Sequence, residues 1–404
     1  MKPWIKVVLA LFLGSIFGLI TQQSFPFLEK VGQVFIDLLK MTVGLIVFSS
    51  IVTGICHISC PHKLKRIGLR SLVFFIVTTM IAIFNSICVC YWIRPGEGLG
   101  MILPKVSQSS SMSMIDQIFA LFPSNLFASL ASGNILQVIV FATFFSCALL
   151  MVKEKGAPVL QFFESLLEVM IRLTQIVMRF APVGVFALMA CSTGQMGWDL
   201  LEKLILYLGC NYLACTLQLV FVYSFTVYFL ARISLITFYR AMKDAIVYGL
   251  STCSSSATLP ISLECVKKNL NIPKEIAGFV LSIGSTINMN GAAIGQISCA
   301  LFIAQAYGVE LTFSSLILLI VSTFLSAVGA AGIPGASIMM MSIILNALEL
   351  PVEGILLVAG IDRLREMFST VINVLGDAVA AVYVAKKEEE SVELTQEFPA
   401  FLKG

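Results

Sequence analysis

Apolar residues run along this 404-residue chain in long blocks, among them "WIKVVLALFLGSIFGLI", "SLVFFIVTTMIAIFNSICVCYWI" and "LILYLGCNYLACTLQLVFVYSFTVYFLA". Each approaches or exceeds the roughly 20 residues a helix needs to cross a bilayer. The blocks predict spans at about 4–22, 32–56, 69–93, 116–151, 157–190 and 199–231. Beyond residue 232 the pattern changes. The stretch from Ala245 to Leu263 carries "LSTCSSSATLP" in its middle, rich in Ser and closed by Pro, which suits a bend. Between "YGVE" and "ELPVEG" a second apolar stretch is broken by "VGAAGIPGASI". The last block holds "DRLREMFSTVINVLGD", so Asp362, Arg363, Arg365, Glu366 and Asp377 sit where lipid would reject them.

Lys and Arg in short loops mark the cytoplasmic side. Three such loops carry Lys63, Lys65, Arg66 and Arg70, then Lys153 and Lys155, then Arg232, Arg240 and Lys243. Their spacing gives consistent parity with the N-terminus inside. Lys267, Lys268 and Lys274 form a further basic loop, separated from Lys243 by a single apolar stretch. A crossing there would put these lysines outside, whereas a segment that enters and returns on one side removes the conflict. "YGVE" and "ELPVEG" lack Lys and Arg and read as external, so the broken stretch between them returns to the outside. Lys386 and Lys387 bring the C-terminus back inside. The second half therefore reads as hairpin, span, inverted hairpin, span, the repeat with which secondary transporters build a midplane site. Non-helical backbone survives at that depth only under protein or beside a water-filled cavity. The expected architecture is an all-α polytopic membrane protein of eight transmembrane helices plus two re-entrant helical hairpins.

Composition agrees with this. The chain is 58% hydrophobic and 12% charged, whereas a soluble domain is about a quarter charged. The net charge of +3 suggests no nucleic-acid partner. Lys2 and Lys6 precede the first apolar run, but no small-x-small cleavage site follows, so a retained span is expected. The 11 Cys show no disulfide spacing and read as packing residues.

In the last block Asp362, Glu366, Ser369, Thr370, Asn373 and Asp377 recur at helical steps and fall on one stripe. Interhelical packing alone would explain a few such groups, but a full stripe exceeds what packing needs. Asp377 and Asn373 offer hard oxygen ligands for a small cation. Upstream, "GSTINMNGAA" places Asn288, Asn290 and Gly291 in an otherwise apolar helix, where unwinding would free carbonyls. Oxygen ligands of this kind suit Na⁺.

Taken in order and spacing, "STCSSSATLP", "GSTINMNGAA", "VGAAGIPGAS" and "NVLGD" resemble the dicarboxylate/amino acid:cation symporter family, which includes the glutamate transporters. "FPSNLFASLASGNILQVIVFA" and "RFAPVGVFAL" extend the likeness to nearly the whole chain. The resemblance implies a homotrimer in the bacterial inner membrane, both termini cytoplasmic, each protomer carrying its own amino-acid substrate. It implies six helices in 1–232, with spans 1, 2, 4 and 5 as scaffold and 3 and 6 joining a transport core. That core would fill 233–390, ahead of a charged tail at 391–404 expected to be disordered. One sodium site would use the Gly284 carbonyl, Asn288, Asn373 and Asp377, and a second the carbonyls of Thr286, Ala327, Val328 and Ala330. A third, near Thr78, Thr79 and Asn290, is doubtful, because the family's Asp is Asn290 here and its Tyr is Phe75. The resemblance implies substrate contacts from Ser255, Met289, Ile333, Glu366, Ser369, Thr370 and Asn373, with Glu366 holding the amine.

The family's Arg for an acidic side chain is Ser369 here, its inner-hairpin substitute is Cys253, and the assisting Thr is Ala292. A neutral, serine- or alanine-like substrate with Na⁺ symport is therefore expected. Arg365, one turn before Ser369, keeps an acidic amino acid or dicarboxylate, coupled to Na⁺ or H⁺, as the alternative. An anion channel is the rival of another class. Two motifs read as decoys. "CHISCPH", with Cys56, His57, Cys60 and His62, matches no standard metal spacing. Ser254 to Ser256 lack a nucleophile elbow and a nearby His, so no enzyme is read here.

Overall fold

The computed structural model describes residues 3–23, 25–56, 62–101, 122–329, 332 and 335–401, and every regular element among them is helical. The first half comprises α1 (Pro3–Thr21), α2 (Pro26–Cys56), α3 (His62–Ile93), α4 (Leu126–Ala131), α5 (Ile135–Val152), α6 (Ala157–Val177) and α7 (Ala181–Leu217). Wider π-helical turns, Gln218–Ser224 and Thr226–Leu230, prolong α7. The second half comprises α8 (Leu235–Ala241), α9 (Lys243–Thr252), α10 (Ser255–Glu264), α11 (Lys274–Ile287) and α12 (Asn290–Ala306), then α13 (Phe313–Gly329), α14 (Ala336–Ala347), α15 (Ile355–Ala359) and α16 (Asp362–Phe401).

Six helical stretches among the described residues are long and apolar enough to cross a membrane: Pro26–Cys56, Arg66–Ile93, Gln137–Val177, Ala181–Leu230, Lys274–Ala306 and Asp362–Glu389. Ile5–Thr21 and Phe313–Val328 are apolar but shorter. Burial sorts them into layers. In the most apolar window of Lys274–Ala306, 94% of residues are buried, and in that of Asp362–Glu389 83%, against 28% for Gln137–Val177. So α11, α12 and α16 form the centre, and α5 and α6 lie at the periphery. Outer helices expose Phe84, Phe144, Phe162 and Phe221, a surface that hydrocarbon solvates and water does not.

The expected breaks have clear local causes. Between α9 and α10, Cys253 takes a left-handed conformation (φ 52°) and Ser254 turns extended, its hydroxyl accepting from Ala257 N at 3.2 Å as an N-cap. The two short helices pack against each other. The same pairing recurs for α13 and α14, and Gly335 (φ 82°) provides the left-handed residue that starts α14. Between α11 and α12, Asn288 and Met289 leave helical geometry at ψ 66° and 54°.

Two expectations change. The span expected at 157–190 stops at Val177, and a new helix starts at Ala181 with Pro182 in its first turn, where the missing N–H leaves no bond unmade. A non-helical break at Gly197 (φ 64°, ψ −144°) divides it, so a second helix resumes beside the expected start at 199. The tail, expected to be disordered, continues α16 as helix to Phe401. Its Glu, Lys, Gln and Leu are good helix formers added to an already nucleated helix.

Candidate functional site

The polar stripe of α16 meets three breaks at one place. Asn288, at the α11–α12 break, donates from Nδ2 to Asp377 Oδ1 at 3.0 Å. Both residues are buried, and Asn288 Oδ1 has no hydrogen-bond partner. No basic side chain among the described residues pairs with Asp377. Gly284 lies so close that a Cβ there would collide with Asp377 Oδ1. An orphan acceptor beside an unpaired carboxylate is costly without a positive partner, and a bound cation would supply one. Of this predicted set, Gly284, Asn288 and Asp377 meet directly. Asn373, one turn away, instead accepts from Gly291 N at 2.7 Å and clips the start of α12 to α16.

The second predicted set is only partly visible. Thr286 ends α11, Ala327 and Val328 end α13, and these two helices pack together. Ala330, like the substrate candidate Ile333, lies outside the described residues. The tips of the helix pairs do touch. Gly332 O accepts from Ser254 Oγ at 2.7 Å and from Ser256 N at 3.0 Å.

The third set forms a closed network. Asn290 Oδ1 accepts from Thr79 Oγ1 at 2.6 Å, while its Nδ2 donates to Thr78 Oγ1 at 3.1 Å and to Tyr223 OH at 2.8 Å. Tyr223 in turn donates to Ile372 O at 3.1 Å. Tyr223 stands outside the residues expected from the sequence. Phe75 replaces a phenol in the third span, yet a phenol arrives from the π-helical turns after α7. One Tyr in the aromatic-rich run "VFVYSFTVYFLA" carried no signal of that role.

The remaining substrate candidates are buried around the same place. Glu366 Oε1 accepts from Gly335 N at 2.6 Å and its Oε2 from Arg363 Nη1 at 3.3 Å, tying α16 to the start of α14. Thr370 Cγ2 faces Gly249 of α9, where a Cβ would stand 3.5 Å away. The Ser369 carbonyl sits against Gly291, and Ser255 and Met289 open α10 and cap α12. Ser255, Met289, Glu366, Ser369, Thr370 and Asn373 are all under a tenth exposed. Arg365 is also buried, with Nε donating to Asp362 Oδ1 at 2.7 Å and Nη1 to Ser369 Oγ at 3.3 Å. Of the decoy cluster, Cys56 ends α2 and His62 opens α3, while His57 and Cys60 lie outside the described residues.

Residues 4–387 match the model of the sodium:dicarboxylate symporter family. The chain is 33% identical over 396 residues to the proton/sodium-glutamate symport protein of Bacillus subtilis (strain 168), covering 95% of this chain and 92% of that protein. It is 33% identical over 379 residues to the proton/glutamate-aspartate symporter of Escherichia coli (strain K12), covering 90% and 86%. Against the C4-dicarboxylate transport protein of Rhodospirillum rubrum the identity is 32% over 397 residues, covering 96% and 88%.

Proposed function

Because this chain belongs to the sodium:dicarboxylate symporter family, we propose that it is a secondary active symporter for an acidic amino acid or short dicarboxylate, driven by a Na⁺ or H⁺ gradient. The observation that carries the reading is Asp377, a buried carboxylate without a basic partner beside the orphan oxygen of Asn288 at a helix break. A cation arriving there neutralises the carboxylate and uses the free acceptor. Asn290, satisfied by three hydroxyl groups, takes no cation in this reading.

The expectation of a neutral substrate gives way to the acidic alternative. The relatives are named for glutamate, aspartate and C4-dicarboxylates. Ser369 does lack the charge of an arginine, but Arg365 puts a buried guanidinium within hydrogen-bond reach of its hydroxyl. The α9–α10 and α13–α14 pairs act as re-entrant hairpins whose tips close over the solute. The protein works as a homotrimer in the bacterial inner membrane with both termini cytoplasmic. The scaffold comprises α1, α2, α4, α5, α6 and the part of α7 before Gly197, and the transport core α3, the part of α7 beyond Gly197, and everything after it. The test is uptake of labelled aspartate, glutamate, succinate and malate against serine and alanine in proteoliposomes, under imposed Na⁺ or H⁺ gradients. Accumulation of the acidic solutes against their own gradient is expected. Accumulation of serine or alanine with no acidic uptake would overturn the reading.

A further inference from the structure

Among the described residues Arg365 is the one Lys or Arg side chain in the buried interior, 1% exposed. The cation site makes no use of it. It leaves α16 with Asp362 one turn before and Ser369 one turn after, so both neighbours share its side of the helix. Nη2 lies 2.6 Å from the same Asp362 oxygen that Nε bonds, an ion-pair distance outside hydrogen-bond geometry. On the other side Nη1 donates to Ser369 Oγ at 3.3 Å. The facing helix makes room: a Cβ at Gly295 would collide with Nη1, and one at Gly291 with the Ser369 carbonyl. The guanidinium is thus wedged, its donor end towards Ser369 and Asp362 behind.

That arrangement fixes what Ser369 can do. Its oxygen accepts from Arg365, so its O–H must aim elsewhere, and it donates to no group among the described residues. Ser369 stands on the stripe between Glu366 and Asn373. We propose that Ser369 and Arg365 form the anion-recognition element of this site, Ser369 donating its hydroxyl to a solute carboxylate while Arg365, one layer behind, polarises that hydroxyl. Arg365 is here a positioning residue that never touches the solute. Charge-assisted hydrogen bonds are stronger than neutral ones, and the pairing with Asp362 keeps the empty site from holding an isolated buried charge. The inference rests on the reading that the solute is acidic.

The test compares KM for aspartate with the inhibition constant of asparagine in reconstituted full-length protein, for wild type, Ser369→Ala, Ser369→Thr, Arg365→Gln and the Ser369→Ala/Arg365→Gln pair. Ser369→Ala should raise the aspartate KM about tenfold relative to the asparagine constant, the loss of one hydrogen bond to a charged group. Ser369→Thr, which restores the hydroxyl, should recover it. The double variant should be no worse than Ser369→Ala, because both changes break one relay. Equal shifts for both ligands, or additive losses, would overturn the proposal and leave Arg365 a structural ion pair. If Arg365→Gln does not fold, the Ala and Thr variants at Ser369 still decide. Failure of wild type to take up any acidic solute would instead sink the functional reading itself, and this inference with it.

Discussion

Asp377 and Asn290 lie on facing helices and pose opposite problems. Asp377 has a charge with no partner, whereas Asn290 has partners and no charge. Asp377→Asn keeps the shape and still accepts from Asn288, yet removes the charge that a cation would neutralise. Cation-dependent uptake should fall at least tenfold, about 1.4 kcal/mol, with the protein still monodisperse on size exclusion; unchanged cation dependence would place the cation elsewhere. Asn290→Asp does the reverse, putting a carboxylate among the Thr78, Thr79 and Tyr223 hydroxyls, none of which carries a positive charge. That charge needs a cation of its own, so uptake should acquire a steeper Na⁺ dependence, read as a higher Hill coefficient. An unaltered Na⁺ curve would count against a closed neutral network. Helical spacing made the stripe from Asp362 to Asp377 readable in the sequence. It did not make Arg365's direction readable, because the notch that holds it belongs to Gly295, seventy residues upstream on another helix.

The helix breaks were legible because their chemistry is local: the Ser-rich, Pro-closed run "LSTCSSSATLP", Asn in "GSTINMNGAA", Gly and Pro in "VGAAGIPGASI". The boundary between α6 and α7 was not, since apolar residues flank it closely on both sides and only Arg179 and Pro182 mark it. Length and hydropathy report solvent, and they are silent on where one buried helix yields to another. Breaks alone do not give topology, which turns on whether α9 and α10 leave the membrane on the side they entered. In a cysteine-free background, single cysteines at Lys243 and Lys268 should both react with an impermeant maleimide from the cytoplasmic side. Labelling from opposite sides would make α9–α10 a crossing and remove the inverted repeat.

Taken as one body, the molecule sets α11, α12 and α16 inside a jacket of helices whose phenylalanines face outward. The centre is where ionisable groups collect, and the two helix-pair tips meet over it through Gly332, whose carbonyl serves both Ser254 and Ser256. Ser254→Ala removes one of the two donors. With no solute present, vesicles carrying this variant should lose an imposed ion gradient several-fold faster than wild type, followed with a potential-sensitive dye, at a cost of about 1 kcal/mol in one hydrogen bond. Equal leak rates would mean that the tips are sealed by other contacts. A bilayer holding a gradient behaves as a charged capacitor, and a row of buried carboxylates is a ready-made short circuit across its plates. By hanging both donors on a single carbonyl, the fold rests the insulation on one residue, and loosening either donor lets the charge bleed away.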